Sequence, residues 1–146
     1  ILDALYIEGF QMVMAAIRVE DESLAPRAAV LKGLSNYIDL ATEHRGHYEL
    51  IFGRGDPSYT PSSAAIAVGE EAFNQLTFFV SRALPNTLSG REKREAALQL
   101  WALSHGYVSL QEHEATELIP HAAWRDLMMR AVTTHLDAII SKYADQ

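Results

Sequence analysis

The chain of 146 residues contains no cysteine, which excludes a disulfide framework and any thiolate metal site and agrees with a cytoplasmic protein. Nothing in it approaches the run of ~20 apolar residues that a membrane span needs. A secretory leader is not recognisable, because the first residues carry Asp3 and Glu8 and lack a basic head. Basic charge is scarce: 12 Lys and Arg stand against 19 Asp and Glu, for a net charge of -7. Such an acidic surface repels phosphate backbones, so these residues are not expected to grip nucleic acid by themselves. No stretch alternates apolar and polar residues over the length of a strand, and no segment repeats.

What is present is apolar helical periodicity. Nearly half of the residues are hydrophobic, enough for one domain, residues 1–146, with its own core. Leu2, Leu5, Tyr6, Gly9, Phe10, Val13 and Ile17 follow i, i+3, i+4 spacing from the first residues. No capping residue precedes Ile1, so a preceding domain is expected upstream. A turn at residues 21–26 leads to a helix from Arg27 to about His44, which Gly46 is expected to interrupt before a short helix ending at Phe52. The stretch GRGDPSYTPSS, residues 53–63, reads as a loop, with Ser62 or Ser63 available to cap the next helix and Pro61 equally placed at its first turn. That helix runs to Ala83, LPNTLSG ends it, and Ser89 caps the next. The polar segment EHEATELIP then leads to a last helix from His121 to about Tyr143. The fold class is all-α.

The segment LQLWALSHGYVSLQ, residues 98–111, is apolar nearly all the way round. Leu100, Leu103, Tyr107 and Leu110 lie on one face, Ala97, Trp101, Ser104 and Val108 on another. A helix with one apolar stripe covers a core and turns its back to water; one with two such faces must be covered twice. Gly106 costs the helix roughly 1 kcal/mol against alanine, and such a glycine marks a close backbone approach. The last helix is similarly over-apolar. Both point to a homodimer through the last two helices, with Trp101, His105, Gly106, Tyr107, Leu110, Leu136, Ile139 and Ile140 at the seam.

EHRGHYELIFG, residues 43–53, resembles a segment of the C-terminal domains of tetracycline-repressor (TetR) family regulators. Trp101, His105 and Gly106 match the Trp-x-x-x-His-Gly signature of one of their C-terminal subfamilies, and the order of helices agrees over essentially the whole chain. Gly46 departs from the family pattern, where a proline is common. The resemblance implies a TetR C-terminal-like helical bundle whose last two helices form a four-helix bundle with a second subunit. It also implies a helix-turn-helix DNA-binding domain upstream, through which alone operator DNA would be contacted, and a pocket for a small effector among the earlier helices. On those helices Phe10, Met14, Tyr37, Tyr48, Phe52, Phe73 and Phe78 suggest an apolar or aromatic effector, with His44, Asn74 and Gln75 to orient it. The implied activity is that of a transcriptional regulator, a repressor released by its effector, with no catalytic residue, metal or cofactor.

The alternative class is a small all-α enzyme or metal-binding helical protein using the Glu and His clusters. Histidines stand at positions 44, 47, 105, 113, 121 and 135, with Glu43 four residues before His47 and Glu112, His113 and Glu114 adjacent. The Glu-x-x-His repeat of a di-metal bundle does not occur, since Gly46 follows Glu43 by three. Ser35, Ser81 and Ser104 lie within helices rather than on a strand-to-helix elbow, and GRG at residues 53–55 fits neither a P-loop nor a dinucleotide fingerprint.

Overall fold

The computed structural model describes residues 1–53, 57–112 and 119–144, apart from the His121 side chain. Among these residues there are six α-helices and no strand: α1 Leu2–Ile17, α2 Pro26–Glu43, α3 Arg45–Phe52, α4 Ser63–Ser81, α5 Gly90–Gln111 and α6 Trp124–Tyr143. A 3-10 turn, His121–Ala123, precedes α6, so the last α-helix starts three residues later than its apolar pattern suggested.

Local chemistry accounts for most of the boundaries. Pro26 opens α2, where its missing N–H leaves no bond unmade. Ser62 rather than Ser63 caps α4, its hydroxyl accepting from the Ala65 N–H at 3.1 Å. Asp3 accepts from both the Ser62 hydroxyl, at 2.7 Å, and the Tyr59 hydroxyl, at 2.9 Å, which ties the start of α4 to α1. Ser89 and Glu92 form a reciprocal capping box at the start of α5. One expectation is corrected. The break between α2 and α3 falls at His44, with φ -124° and ψ 56°, whereas Gly46 lies inside the first turn of α3.

Helix α1 packs against α2, α3 and α4, and α5 lies against α2, α4 and α6. Close approach between α1 and α2 requires Gly33: a Cβ there would stand 2.9 Å from the Ile17 carbonyl oxygen. Two apolar clusters fill the interior. One joins Leu34, Val80, Leu100, Val132 and Leu136; the other joins Val13, Tyr37, Ile38, Tyr48, Trp124 and Met128. Exposed ion pairs Arg27–Asp137 and Arg125–Asp39 bridge α2 and α6, a modest addition to the packing because water screens them.

Candidate functional site

The site grows from three helical i, i+4 pairs. On α3, Tyr48 and Phe52 share one face, with ring centroids 5.3 Å apart. On α5, Trp101 and His105 share one face. On α1, Tyr6 and Phe10 meet edge to face at 5.1 Å. Phe52 stands at the centre of the convergence, 5.2 Å from Phe10, 5.1 Å from Trp101 and 6.1 Å from the His105 ring. Phe73 of α4 completes it, 6.2 Å from Trp101. Edge-on and tilted contacts of this kind suit the quadrupoles of aromatic rings.

A polar chain threads the rings. The Trp101 indole N–H donates to the Tyr37 hydroxyl at 3.1 Å. The Tyr37 and Tyr48 hydroxyls bond at 2.8 Å, and the Tyr48 hydroxyl lies 2.5 Å from His105 Nδ1. Burial sets the protonation states. It pushes the Tyr48 hydroxyl up to about 12. Burial, then the neighbouring Tyr48, raises Tyr37 well above its ordinary value. The His105 imidazole is lowered by burial, which favours its neutral form.

Two spaces adjoin this chain. Inside the bundle is a cavity of about 100 Å³ with wholly apolar walls, including Phe10, Tyr37, Phe52, Phe73 and Trp101. Gly69 lines it too, and a Cβ there would come within 3.1 Å of the Phe10 ring. On the other side of Phe52 is an open cleft of about 960 Å³ between the start of α1, α3 and the last turns of α5. Leu5, Tyr48, Phe52 and Val108 supply its apolar wall, and Arg45, Glu49, His105 and Glu112 its polar one. Arg45 is paired with Glu112, and His47, also in the cleft wall, lies 3.0 Å from Glu8.

Of the residues expected from the sequence to meet a ligand, Phe10, Tyr37, Phe52 and Phe73 line the cavity and Tyr48 and Phe52 the cleft. Met14 lines neither space, and His44 is exposed, its ring 6.2 Å from that of His47. Asn74, Gln75 and Phe78 face a shallow hollow on the outer side of α4, with Phe78 61% exposed. Sequence reasoning missed Gly69, Ala72 and Ser104, which line the cavity; small residues that open a space leave no apolar signal of their own.

The residues expected at a dimer seam divide in the same way. The Trp101 indole N–H and the His105 Nδ1 are both engaged inside the subunit, while the two side chains are only partly buried. Leu136 is fully buried and Ile139 5% exposed within the chain's own core, so neither side chain is left over for a partner. Ile140 packs partly buried against the same core, and Tyr107 lies against Trp124 with centroids 6.3 Å apart. Gly106 and Leu110 remain on the outward face: nothing lies within 4 Å of a Cβ at Gly106, and Leu110 is 54% exposed.

Among the described residues no three His, Asp or Glu side chains are grouped to hold a metal ion. The pairing of Glu43 with His47 is not formed, since His47 turns to Glu8. His113 and Glu114 of the second cluster lie outside the described residues. No helix among the described residues is long and apolar enough to cross a membrane.

A search of curated proteins and one of solved structures each returned no match. The family model of the tetracyclin repressor-like C-terminal domain matches residues 30–135, from within α2 to within α6. That span covers most of the chain and all of the residues of the polar relay. The chain therefore belongs to the tetracyclin repressor-like C-terminal domain family, a family of regulatory rather than enzymatic domains.

Proposed function

We propose that this chain is the effector-sensing and dimerisation domain of a cytoplasmic TetR-type transcriptional regulator, acting as a repressor that its effector releases from DNA. The observation that carries the sensing role is the aromatic convergence on Phe52, with an accessible cleft on one side and an apolar cavity on the other. Small-molecule sites commonly occupy ~300–1,000 Å³ and combine apolar walls with a few polar groups; the cleft, at about 960 Å³, fits that description. The cavity, at about 100 Å³, accommodates no more than a small apolar group. The effector is then apolar or aromatic, seated in the cleft against Tyr48 and Phe52. Effector binding favours one of two dimer shapes by differential affinity, and the DNA-reading heads of an upstream domain follow.

Dimerisation is proposed through the outward faces of α5 and α6. Leu98 and Leu110, 47% and 54% exposed, flank Ala102 and Gly106 on α5. A two-fold arrangement covers the same surface on both subunits at once.

The test is a thermal-shift screen of uncharged aromatic compounds against the wild type and Phe52→Ala. Compounds that raise the melting temperature of the wild type are expected to raise that of Phe52→Ala much less. An equal rise in both proteins would remove Phe52 from the site and overturn the reading.

A further inference from the structure

We propose that the cleft takes uncharged aromatic molecules carrying a hydrogen-bond acceptor, typified by a carbonyl oxygen, and that the Nε2–H of His105 is the donor that selects them. This rests on the cleft being the effector site and adds which chemistry it accepts.

The direction of the polar chain follows from its fixed end. An indole N–H can only donate, so the Tyr37 oxygen receives the Trp101 proton. The Tyr37 proton then goes to its other hydroxyl partner, Tyr48. Tyr48 in turn gives its proton to His105 Nδ1. With Nδ1 an acceptor, the neutral ring carries its proton on Nε2. His105 is half-buried and forms part of the cleft wall. Every buried side-chain nitrogen or oxygen among the described residues has a partner. Among the described residues Nε2 has no partner, so it is on the accessible side of the ring.

The reverse direction is blocked inside the bundle. A ligand that only donates to Nε2 would move the ring proton to Nδ1, which must then donate to Tyr48. Four protons would then share three links, so either the Tyr37 or the Tyr48 hydroxyl would lose its acceptor inside the chain. Both residues are buried, at 3% and 7% exposed, and a buried unpartnered donor is disfavoured. Ammonium-type ligands are therefore rejected, and acceptors are welcomed.

The charges around the ring argue for a neutral molecule. Arg45 is already engaged by Glu112, His47 by Glu8, and Glu49 adds a further carboxylate to the wall. Among the described residues of the wall, no uncommitted cation is offered to an anion. The Tyr48 and Phe52 rings and Val108 offer faces for a flat apolar body.

Acetophenone and α-methylstyrene test this as a matched pair, because they share a shape and differ in a carbonyl oxygen replaced by a methylene. Binding to the whole chain is followed by titration of the Tyr48 and Phe52 ring signals, and the His105 tautomer by ¹⁵N NMR. Acetophenone is expected to bind about fivefold more tightly, the ratio that a hydrogen bond of about 1 kcal/mol produces. His105→Asn retains an acceptor for Tyr48 but no donor at the Nε2 position, and should abolish the preference. Equal affinities in the wild type, with both compounds moving the Tyr48 and Phe52 signals, would overturn the selectivity while leaving the cleft as a ligand site. If neither compound binds at its solubility limit, the reading of the cleft falls and this inference with it. A proton found on Nδ1 rather than Nε2 overturns the inference whatever binds.

Discussion

Trp101 and His105 stand one turn apart on α5 and hold the two ends of a single hydrogen-bonded chain that runs through Tyr37 of α2 and Tyr48 of α3. Three helices are thus tied at their hydroxyl and ring-nitrogen atoms as well as by apolar packing. Cutting the chain in the middle is the most direct measure of its worth. Tyr48→Phe leaves the Tyr37 proton and His105 Nδ1 without partners, and should destabilise the fold by about 1–3 kcal/mol, read from urea unfolding. A loss no larger than that of an exposed Tyr→Phe control would show that water replaces the missing hydroxyl.

Stability should depend on pH through His105. Burial lowers its folded pKa below the ordinary value of about 6.5 that it has in the unfolded chain. The neutral ring therefore stabilises the fold above about pH 6.5, and that contribution is lost as pH falls through the lowered folded value. Arg45, His47, Glu49 and Glu112 share the cleft wall, so the assignment needs a variant. In His105→Asn the slope of stability against pH over this window should flatten; an unchanged slope would assign it to another group.

The apolar cavity should be fillable. Ala72 lines it and is 4% exposed. Ala72→Val is expected to stabilise the protein by about 0.5–2 kcal/mol, as cavity-filling changes commonly do. Xenon, which enters apolar cavities, should perturb the Phe73 and Trp101 signals in the wild type and not in the variant. A destabilised Ala72→Val would show the cavity walls to be too rigid to accept the added methyl groups.

The dimer seam can be separated from the core. Leu110→Glu places a charge on the outward face of α5 and should convert a dimer to a monomer with little change in monomer stability. Ile139→Glu, by contrast, would bury an unpaired charge within the subunit and unfold it. Sedimentation at low micromolar concentration reads the first, circular dichroism the second. A wild type that sediments as a monomer removes the seam altogether.

Sequence periodicity was enough for the all-α class and for most helix ends, because capping residues such as Ser89 and Pro26 act locally. It could not decide which way Trp101 and His105 point. On a helix apolar all round, two faces compete for the core, and the outcome depends on partners distant in sequence, here Tyr37 and Tyr48. Leu136, buried within the chain, meets the same limit: an apolar excess on α6 says that more must be covered, not which side chains the subunit already covers. The aromatic wall was legible in Phe10, Phe52 and Phe73, since large rings announce themselves; the space between them was not.

His105 and Gly106 are neighbours in the chain, yet one forms part of the cleft wall and the other lies on an outward face with nothing of its own subunit within 4 Å of a Cβ. Within one helix these two surfaces turn as a rigid cylinder. With a helix radius of about 5–6 Å including side chains, a roll of about 10° about the axis sweeps the outward surface through an arc of about 1 Å. Any adjustment of the imidazole that rolls α5 is thereby delivered to the neighbouring face of the same helix, about 100° round its axis, with no loop between to absorb it.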